Sequence, residues 1–383
     1  MKIAKLMLST LVAAAALVAC NKLESDNLGD NSLKSVELSL ANVEFITKGD
    51  GGAAISDGQA VFVKSFQVFF TDGTTLYPGY SADNQFMDAY FTAAADGTFG
   101  DLGQTKTFHF LPNVVDKVIV LGNMAKVDIT QVNTVAGLEK VLKIAEQQNQ
   151  KELALYASSR LTQTGKHVQD PDGHTTLLYS ATCNLLPRIA RFEIKSVGMT
   201  FKQNPHLYSE VTLAKMAFVD FYNTCTLIGG AVDLQSTTTV PFTENDIFNY
   251  FAGLDLLTKN PWNVDNLELT CTPTTASNTT DTNLAYHFYP NANMKPAVMV
   301  RVNAKTNASA DPAPAYVYTN DFKYGDTVLA AYDAADGRKG YCPGYIYRMN
   351  YIFDESNLEH QDKCVEIKVT VDTWKVVAVT PVF

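Results

Sequence analysis

Apolar and polar residues alternate along most of this 383-residue chain, which is the pattern of β-strands with one buried face. The alternation begins at Val36, Leu38 and Leu40, and after a slip in phase it continues to residue 47. Residues 61–70 are rich in β-branched and aromatic side chains and run into an Asp-Gly turn, as a strand does. The same signals predict strands at residues 107–111, 117–121, 161–167, 175–181, 188–196, 211–222, 285–289, 297–304, 315–318, 345–353 and 365–379.

Two segments have features of helices instead. In residues 134–148 the apolar side chains recur at helical spacing, with Gly137 the weak helix former, which predicts a helix there. These apolar residues are Val135, Leu138, Val141, Leu142 and Ala145. A second helix over residues 243–257 would begin at the N-cap residue Thr243, but the Asn and Gly residues inside it leave a loop as the alternative.

The balance of these elements predicts a mainly β fold with one or two short helices. Many short strands separated by turns favour β-sandwiches over a parallel α/β sheet. A chain of 383 residues is too long for one ordinary sandwich and suggests two domains. Because strands lie on both sides of a turn at residues 183–187, we expect one sandwich over residues 33–185 and a second over residues 186–383.

The N-terminus has the pattern of a bacterial lipoprotein export signal. Lys2 and Lys5 lead into the apolar residues 6–19, a run shorter than the roughly 20 residues of a membrane-spanning helix. The run ends in Leu-Val-Ala directly before Cys20, which is similar to a lipobox. We therefore expect residues 1–19 to be removed and Cys20 to carry the lipid, the alternative being a plain secretory signal. Polar residues 20–32 would then form a flexible tether.

Net charge limits the partners of the protein. The chain has 30 Lys and Arg against 40 Asp and Glu, and loss of Lys2 and Lys5 leaves 28 bases against 40 acids, a net charge of −12. Proteins that bind nucleic acid need a basic face for the phosphates, so we expect no nucleic-acid partner. An acidic body on a lipid tether instead indicates a surface protein held away from the membrane.

The cysteines after Cys20 are odd in number and none are spaced as a CxxC pair. Such a set predicts that most of these cysteines are buried as small apolar residues. In an oxidising compartment, two of them could instead form one disulfide. The five residues are Cys183, Cys225, Cys271, Cys342 and Cys364.

Residues that carry chemistry do not form a recognisable catalytic motif. The sequence has no nucleophile elbow, zinc-protease motif or phosphate-binding loop. His109 and His287 lie in strand patterns, where histidines are mostly structural. Asp170, Asp172 and His174 could hold a cation in their turn, but we favour a solvated turn. We therefore expect a protein without catalysis, cofactor or metal.

Four stretches of the sequence, in their order along the chain and together with the lipobox, resemble one family. Residues 188–194 read Arg-Ile-Ala-Arg-Phe-Glu-Ile, and residues 287–291 read His-Phe-Tyr-Pro-Asn before an apolar strand. Residues 345–351 form a strand rich in Tyr with one Asn, and residues 365–374 form a strand that ends in tryptophan. This set is similar to the fimbrillins, the subunits of type V pili in Gram-negative oral and gut anaerobes.

The resemblance implies two tandem transthyretin-like β-sandwich domains and assembly by strand exchange. In polymerising fimbrillins a trypsin-like protease cuts after an arginine behind the first strand, and a terminal strand of a neighbour fills the groove that opens. The corresponding region here has no arginine but has Lys48, followed by a glycine-rich stretch. Either the chain is cut after Lys48, or it stays uncut and lipid-anchored with Lys48 as an ordinary surface residue.

The C-terminal strand pattern changes near its end. Residues 365–371 alternate as in a strand with one wet face, whereas residues 376–379 are apolar on both faces and must be covered on both. The covering is either the protein's own sandwich or, as the resemblance implies, the groove of a neighbouring subunit. For that second case the donor residues are Trp374, Val376, Val377, Val379 and Phe383.

The expected function is a structural or accessory subunit of a type V pilus that serves adhesion at the outer-membrane surface. Its partners would be other pilin subunits and, through the lipid, the outer membrane. The alternative is a surface lipoprotein that binds a glycan or a host protein through aromatic residues, among them 18 tyrosines.

Overall fold

A computed structural model describes most of the chain from residue 33 onward. The predicted helix at 243–257 and the residues Cys20, Lys48, Trp374 and Phe383 lie outside its described residues. In the part that is described, no helix is long and apolar enough to cross a membrane. The described residues are 33–41, 43–47, 60–80, 86–87, 89–92, 105–147, 153–222, 224–228, 237–238, 264–275, 278–309, 311–333, 335–358, 366–373 and 375–380.

Strands dominate the chain before residue 188. Two 3-10 turns, Ala136–Leu138 and Ile144–Glu146, flank one of these strands. The strands are β1 (Leu33–Leu40), β2 (Val43–Thr47), β3 (Ala60–Phe62), β4 (Ser65–Thr71), β5 (Leu76–Tyr77), β6 (Gly79–Tyr80), β7 (Phe86–Met87), β8 (Tyr90–Thr92), β9 (Thr105–Pro112), β10 (Lys117–Gly122), β11 (Val141–Lys143), β12 (Leu155–Arg160), β13 (Thr162–Gln169), β14 (Thr175–Cys183) and β15 (Leu186–Pro187).

Strands also dominate the described chain after residue 188, where a 3-10 turn lies at Glu355–Leu358. They are β16 (Ala190–Thr200), β17 (Tyr208–Val219), β18 (Phe221–Tyr222), β19 (Thr224–Thr226), β20 (Thr237–Thr238), β21 (Val264–Cys271), β22 (Thr279–Phe288), β23 (Ala297–Thr306), β24 (Ala313–Thr319), β25 (Asp321–Tyr324), β26 (Thr327–Val328), β27 (Tyr345–Asp354), β28 (Glu366–Thr373) and β29 (Lys375–Thr380).

The first half of the chain forms two facing sheets. One has the strand order β13-β14-β1-β9-β6-β7, and the other has the order β15-β12-β10-β4-β5 with β8 also paired to β4. Val36 of β1, Phe108 of β9 and Val118 of β10 are fully or almost fully buried in one core. The rings of Phe70 and Phe108 meet at 5.0 Å across the two sheets. Because alternating side chains from both sheets fill this core, the arrangement is a β-sandwich.

The second half of the chain forms another pair of facing sheets around its own core. Their orders are β22-β16-β27-β28-β25-β26 and β21-β17-β23-β24. Phe192 of β16 is fully buried and lies 5.4 Å from Phe218 of β17 across the sheets. It also contacts Phe288 at 5.2 Å and Phe322 at 5.0 Å. The predicted mainly β, sandwich-like fold is therefore confirmed.

Segments from both halves meet between the two cores. Buried residues up to Ile189 belong to the first core and those from Ala190 onward mostly to the second. The exceptions Cys225, Leu227, Tyr289 and Ile346 pack in the first core. β11 pairs with β19, and the Nδ1 atom of His287 donates a 2.8 Å hydrogen bond to the backbone oxygen of Gln147.

The helix predicted over residues 134–148 is wrong. β11 occupies the middle of this segment and pairs antiparallel with β19, so Leu142 is 2% exposed while Val141 is 36% exposed. Leu138 and Ile144 are also buried in the first core. The apolar spacing fits a helix and a short strand between two turns equally, and pairing with a remote strand decides between them.

Candidate functional site at the first and last strands

β1 is an interior strand although it is the first strand of the described chain. It pairs parallel with β14, with Leu38 opposite Ala181, and antiparallel with β9, with Val36 opposite Phe108. Val36, Leu38 and Leu40 point into the first core and are at most 6% exposed. Removal of β1 would therefore open a slot between β14 and β9 and expose core residues along its whole length.

Lys34 lies at one end of this slot and is only 3% exposed. Its Nζ atom donates to the backbone oxygen of Asn113 at 3.1 Å and to that of Val115, both in the turn between β9 and β10. The ammonium also lies 4.3 Å from the ring centroid of Tyr179 on β14, a cation–π contact. Burial lowers the pKa of Lys34, and the charge of Asp116 opposes that shift.

Ser35 lies on the opposite face of β1 and is fully buried. Its Oγ atom is 2.8 Å from Nδ1 of His109 on β9 and 2.7 Å from Oγ1 of Thr176 on β14. The register of β9 shifts here, and Phe110 has a φ of +60°, so a β-bulge turns His109 toward Ser35. Burial lowers the pKa of His109, and the charge of Asp170 opposes the shift.

A hydroxyl, an imidazole and a carboxylate thus lie near one another, but Ser35 is not placed for catalysis. Its hydroxyl has no exposed surface for a substrate to reach, since the residue is fully buried. The arrangement instead ties β1 to both neighbouring strands through side chains. Because the side chains of Ser35, His109 and Thr176 satisfy one another inside the sheet, they favour one register of the strand in the slot.

β29, the predicted donor strand, lies between two strands from the other end of the chain. It pairs parallel with β2 on one edge and parallel with β3 on the other. Val376 is opposite Val43 of β2 and Val61 of β3. Val377 and Val379 lie in the same strand, whereas the predicted sites Trp374, Phe383, Lys48 and Cys20 fall outside the described residues.

The two strand-borne histidines are buried with hydrogen-bond partners, as expected of structural residues. Burial and, to a smaller extent, the charge of the nearby Arg191 lower the pKa of His287 to about 3. In the turn after β13, the carboxylate of Asp170 accepts the backbone N–H groups of Asp172 and His174. Among the described residues, no three metal-ligating side chains converge.

The four described cysteines are buried. Burial raises the pKa of Cys183 and Cys225 to about 12 and that of Cys271 and Cys342 to about 11. Thiols with such high pKa values carry little reactive thiolate near neutral pH. The four therefore behave as small apolar core residues, and Cys364 lies outside the described part of the chain.

Sequence reasoning missed Lys34 and Ser35. Lysine and serine at the start of a strand are typical of exposed positions, and the apolar alternation begins only at Val36. One signal is present in the sequence: Lys34 and Ser35 directly precede an alternating strand close to the N-terminus. The family resemblance implies that the first strand is the one removed before assembly. The contacts of Ser35 come from His109 on β9 and Thr176 on β14, which lie 74 and 141 residues away in the chain.

No protein-family model matches this sequence, and no curated protein matches it. Solved structures do match. A candidate cell adhesion protein from Bacteroides eggerthii is 13% identical with a TM-score of 0.46, covering 92% of this chain and 98% of that one. A fimbrilin from Porphyromonas gingivalis is 11% identical with a TM-score of 0.45, covering 91% and 99%.

A fimbrial anchor protein from Porphyromonas gingivalis is 11% identical with a TM-score of 0.33, covering 89% of this chain and 98% of that one. The matched structures thus include fimbrial proteins, the class that the sequence resembles.

Proposed function

We propose that this protein is a non-catalytic subunit of a cell-surface pilus that polymerises by strand exchange and serves adhesion. The observation that carries the proposal is the position of β1, an N-terminal strand paired on both edges and buried along one face. A strand in that position leaves a slot with two unpaired edges when it is removed. β-augmentation by a strand of another subunit satisfies those edges and covers the core.

The proposed route begins with a lipoprotein precursor and ends with a cut chain. Cys20 carries the lipid and holds the precursor at the outer membrane, and a protease then cuts after Lys48. Because Lys48 follows β2 and precedes β3 in the chain, that cut separates β1 and β2 together from the remaining protein. It therefore opens the β1 slot and at the same time removes one of the two strands paired with β29.

The two buried cores support the division into tandem domains over residues 33–185 and 186–383. In this arrangement the N-terminal domain offers the slot and the C-terminal end offers the donor strand, with Trp374, Val376, Val377, Val379 and Phe383 as donor residues. One subunit then carries both halves of the joint, so identical subunits join head to tail in an open chain. Other pilin subunits are the partners, and nucleic acid is not.

A pair of matched variants tests the donor role. Val379→Asp puts a charge into the strand that must be buried in a neighbour, and Val328→Asp makes the same change at a site of the second domain that is 38% exposed. Filaments sheared from the cell surface are expected to contain at least about 10-fold less of the Val379→Asp protein, with the Val328→Asp protein unchanged. Equal incorporation of both variants would contradict the proposal.

Deletion of residues 375–383 gives a second test of the same strand. The truncated protein is expected to stay folded by circular dichroism and to be missing from the filaments. If it unfolds, the strand belongs to the fold of its own chain, and the donor role is wrong. If it still polymerises, another segment is the donor.

A further inference from the structure

The Lys34 site belongs to the slot and not to the strand that fills it. The two carbonyl oxygens come from Asn113 and Val115 in the β9–β10 turn, and the aromatic face comes from Tyr179 on β14. When β1 leaves, these acceptors and the ring stay in the first domain. A strand with an apolar residue at this position would leave buried carbonyl oxygens without a donor, which is costly.

The slot therefore selects a pattern of side chains. A strand that replaces β1 in the same direction needs an ammonium group at the position of Lys34 and apolar side chains two and four residues later, in place of Val36 and Leu38. The last strand of the chain has this pattern. Lys375 is followed by Val377 and Val379 at the same spacing, and Thr380 falls at the position of Ser39.

Another lysine of the chain, Lys363, also precedes alternating apolar residues, so it is a second candidate for the Lys34 site. The pairing of the strand that follows each lysine distinguishes the two candidates. Lys363-Cys-Val-Glu-Ile is similar to Lys34-Ser-Val-Glu-Leu. Its apolar residues continue into β28, which is paired with β27 and β25 and has Ile367 and Val369 buried in the second core. Since β28 cannot leave without opening that core, the terminal strand β29 is the available donor.

We propose that Lys375 of a second copy of this chain occupies the Lys34 site of the first, and that this contact sets the register of the exchanged strand. The inference rests on the proposed strand exchange and adds to it the residue that fixes the alignment. A shift by one residue would turn the apolar face of the donor away from the core, and a shift by two would leave the carbonyl oxygens of the site unpaired.

The aligned strand differs in character from β1 at Glu37 and Leu40, which are replaced by Ala378 and Pro381, and at one buried polar position. Ser35, which binds His109 and Thr176, is replaced by Val376. The donor strand therefore gives up the hydrogen bonds that hold β1 in the uncut chain. A Val376→Ser donor should regain them and bind the slot more tightly than the natural strand.

Peptide competition on the nicked full-length protein tests the inference. A site-specific protease sequence is inserted directly after Lys48, the purified chain is cut there, and a fluorescent peptide of residues 33–41 is exchanged into the slot. Unlabelled peptides of residues 33–41 and 373–383 then compete, and fluorescence anisotropy reports the fraction displaced. The variants are Lys34→Met in the first peptide and Lys375→Met in the second, with Thr373→Met as the matched control outside the slot.

Both natural peptides are expected to displace the label. Lys34→Met and Lys375→Met should each weaken competition about 10-fold or more, since hydrogen bonds from an ammonium are lost, and Thr373→Met should change nothing. Equal competition by Lys375→Met and the natural 373–383 peptide would overturn the register role and leave strand exchange intact. If only the 33–41 peptide competes, or if neither does, strand exchange by β29 is itself wrong.

Discussion

The junction between the two cores should make the protein sensitive to acid through one histidine. His287 lies in β22 with only 4% of its surface exposed, and its Nδ1–H group donates to the backbone oxygen of Gln147 at 2.8 Å. Burial lowers its pKa to about 3 in the folded protein. In the unfolded chain a histidine has a pKa of about 6.5.

The direction and size of the effect follow from these two pKa values. Between pH 6.5 and 3 the unfolded chain binds a proton that the folded protein does not, so stability falls as pH falls through this range. The loss is about 1.4 kcal/mol per pH unit. Between pH 7.5 and 4.5, His287 should therefore remove about 3 kcal/mol from the free energy of unfolding. Above pH 6.5 both states are neutral at this residue, and the contribution is constant.

His287→Asn isolates this contribution because an asparagine amide donates a hydrogen bond from a similar position and does not titrate. Urea unfolding of both proteins at pH 7.5 and 4.5 gives the four free energies needed. Other acid-sensitive groups such as Glu193 act in both proteins and cancel in the comparison. His174→Asn is the matched control, since the His174 side chain is 55% exposed. Equal losses of stability in the natural protein and His287→Asn would refute the reasoning.

Three further changes should give distinct results. Lys34→Met should lower the free energy of unfolding by about 2 kcal/mol, because two carbonyl oxygens lose their donor. The control Lys202→Met, at an ion pair whose lysine is 70% exposed, should change it by less than about 0.5 kcal/mol. If urea unfolding finds the two costs equal or reversed, the Lys34 site is contradicted. Phe192→Ala should cost about 3–5 kcal/mol in the same assay, and a cost under about 1 kcal/mol would show that the second core does not depend on this ring. Cys20→Ala should abolish incorporation of a labelled fatty acid, and undiminished labelling would rule out Cys20 as the lipid site.

The strands were predictable wherever local alternation is strong. Residues 297–304 were predicted from their apolar pattern and form β23, and the turn at residues 170–173 separates β13 and β14 as expected. β12 is not visible in the sequence pattern because Leu155–Arg160 contains Ala and Ser and no β-branched residue. Its antiparallel pairing with β10 makes it a strand, and that pairing is not visible in a local window.

The candidate site was predictable only in part, because its decisive contacts join distant parts of the chain. The sequence indicated that the first and last strands matter, through the family resemblance and the apolar residues 376–379. It did not indicate that Lys34 is buried, since lysine is almost never buried without partners. Those partners are backbone carbonyl oxygens of a turn about 80 residues away, and no sequence pattern marks a carbonyl oxygen as free to accept.

The most direct test of the account is the N-terminal sequence of the protein in filaments sheared from the cell surface. Strand exchange into the β1 slot requires that β1 has left, so the account predicts filament subunits that begin at Gly49. Filament subunits that begin at an acylated Cys20 would still contain β1 in its own slot, and that result would contradict the account.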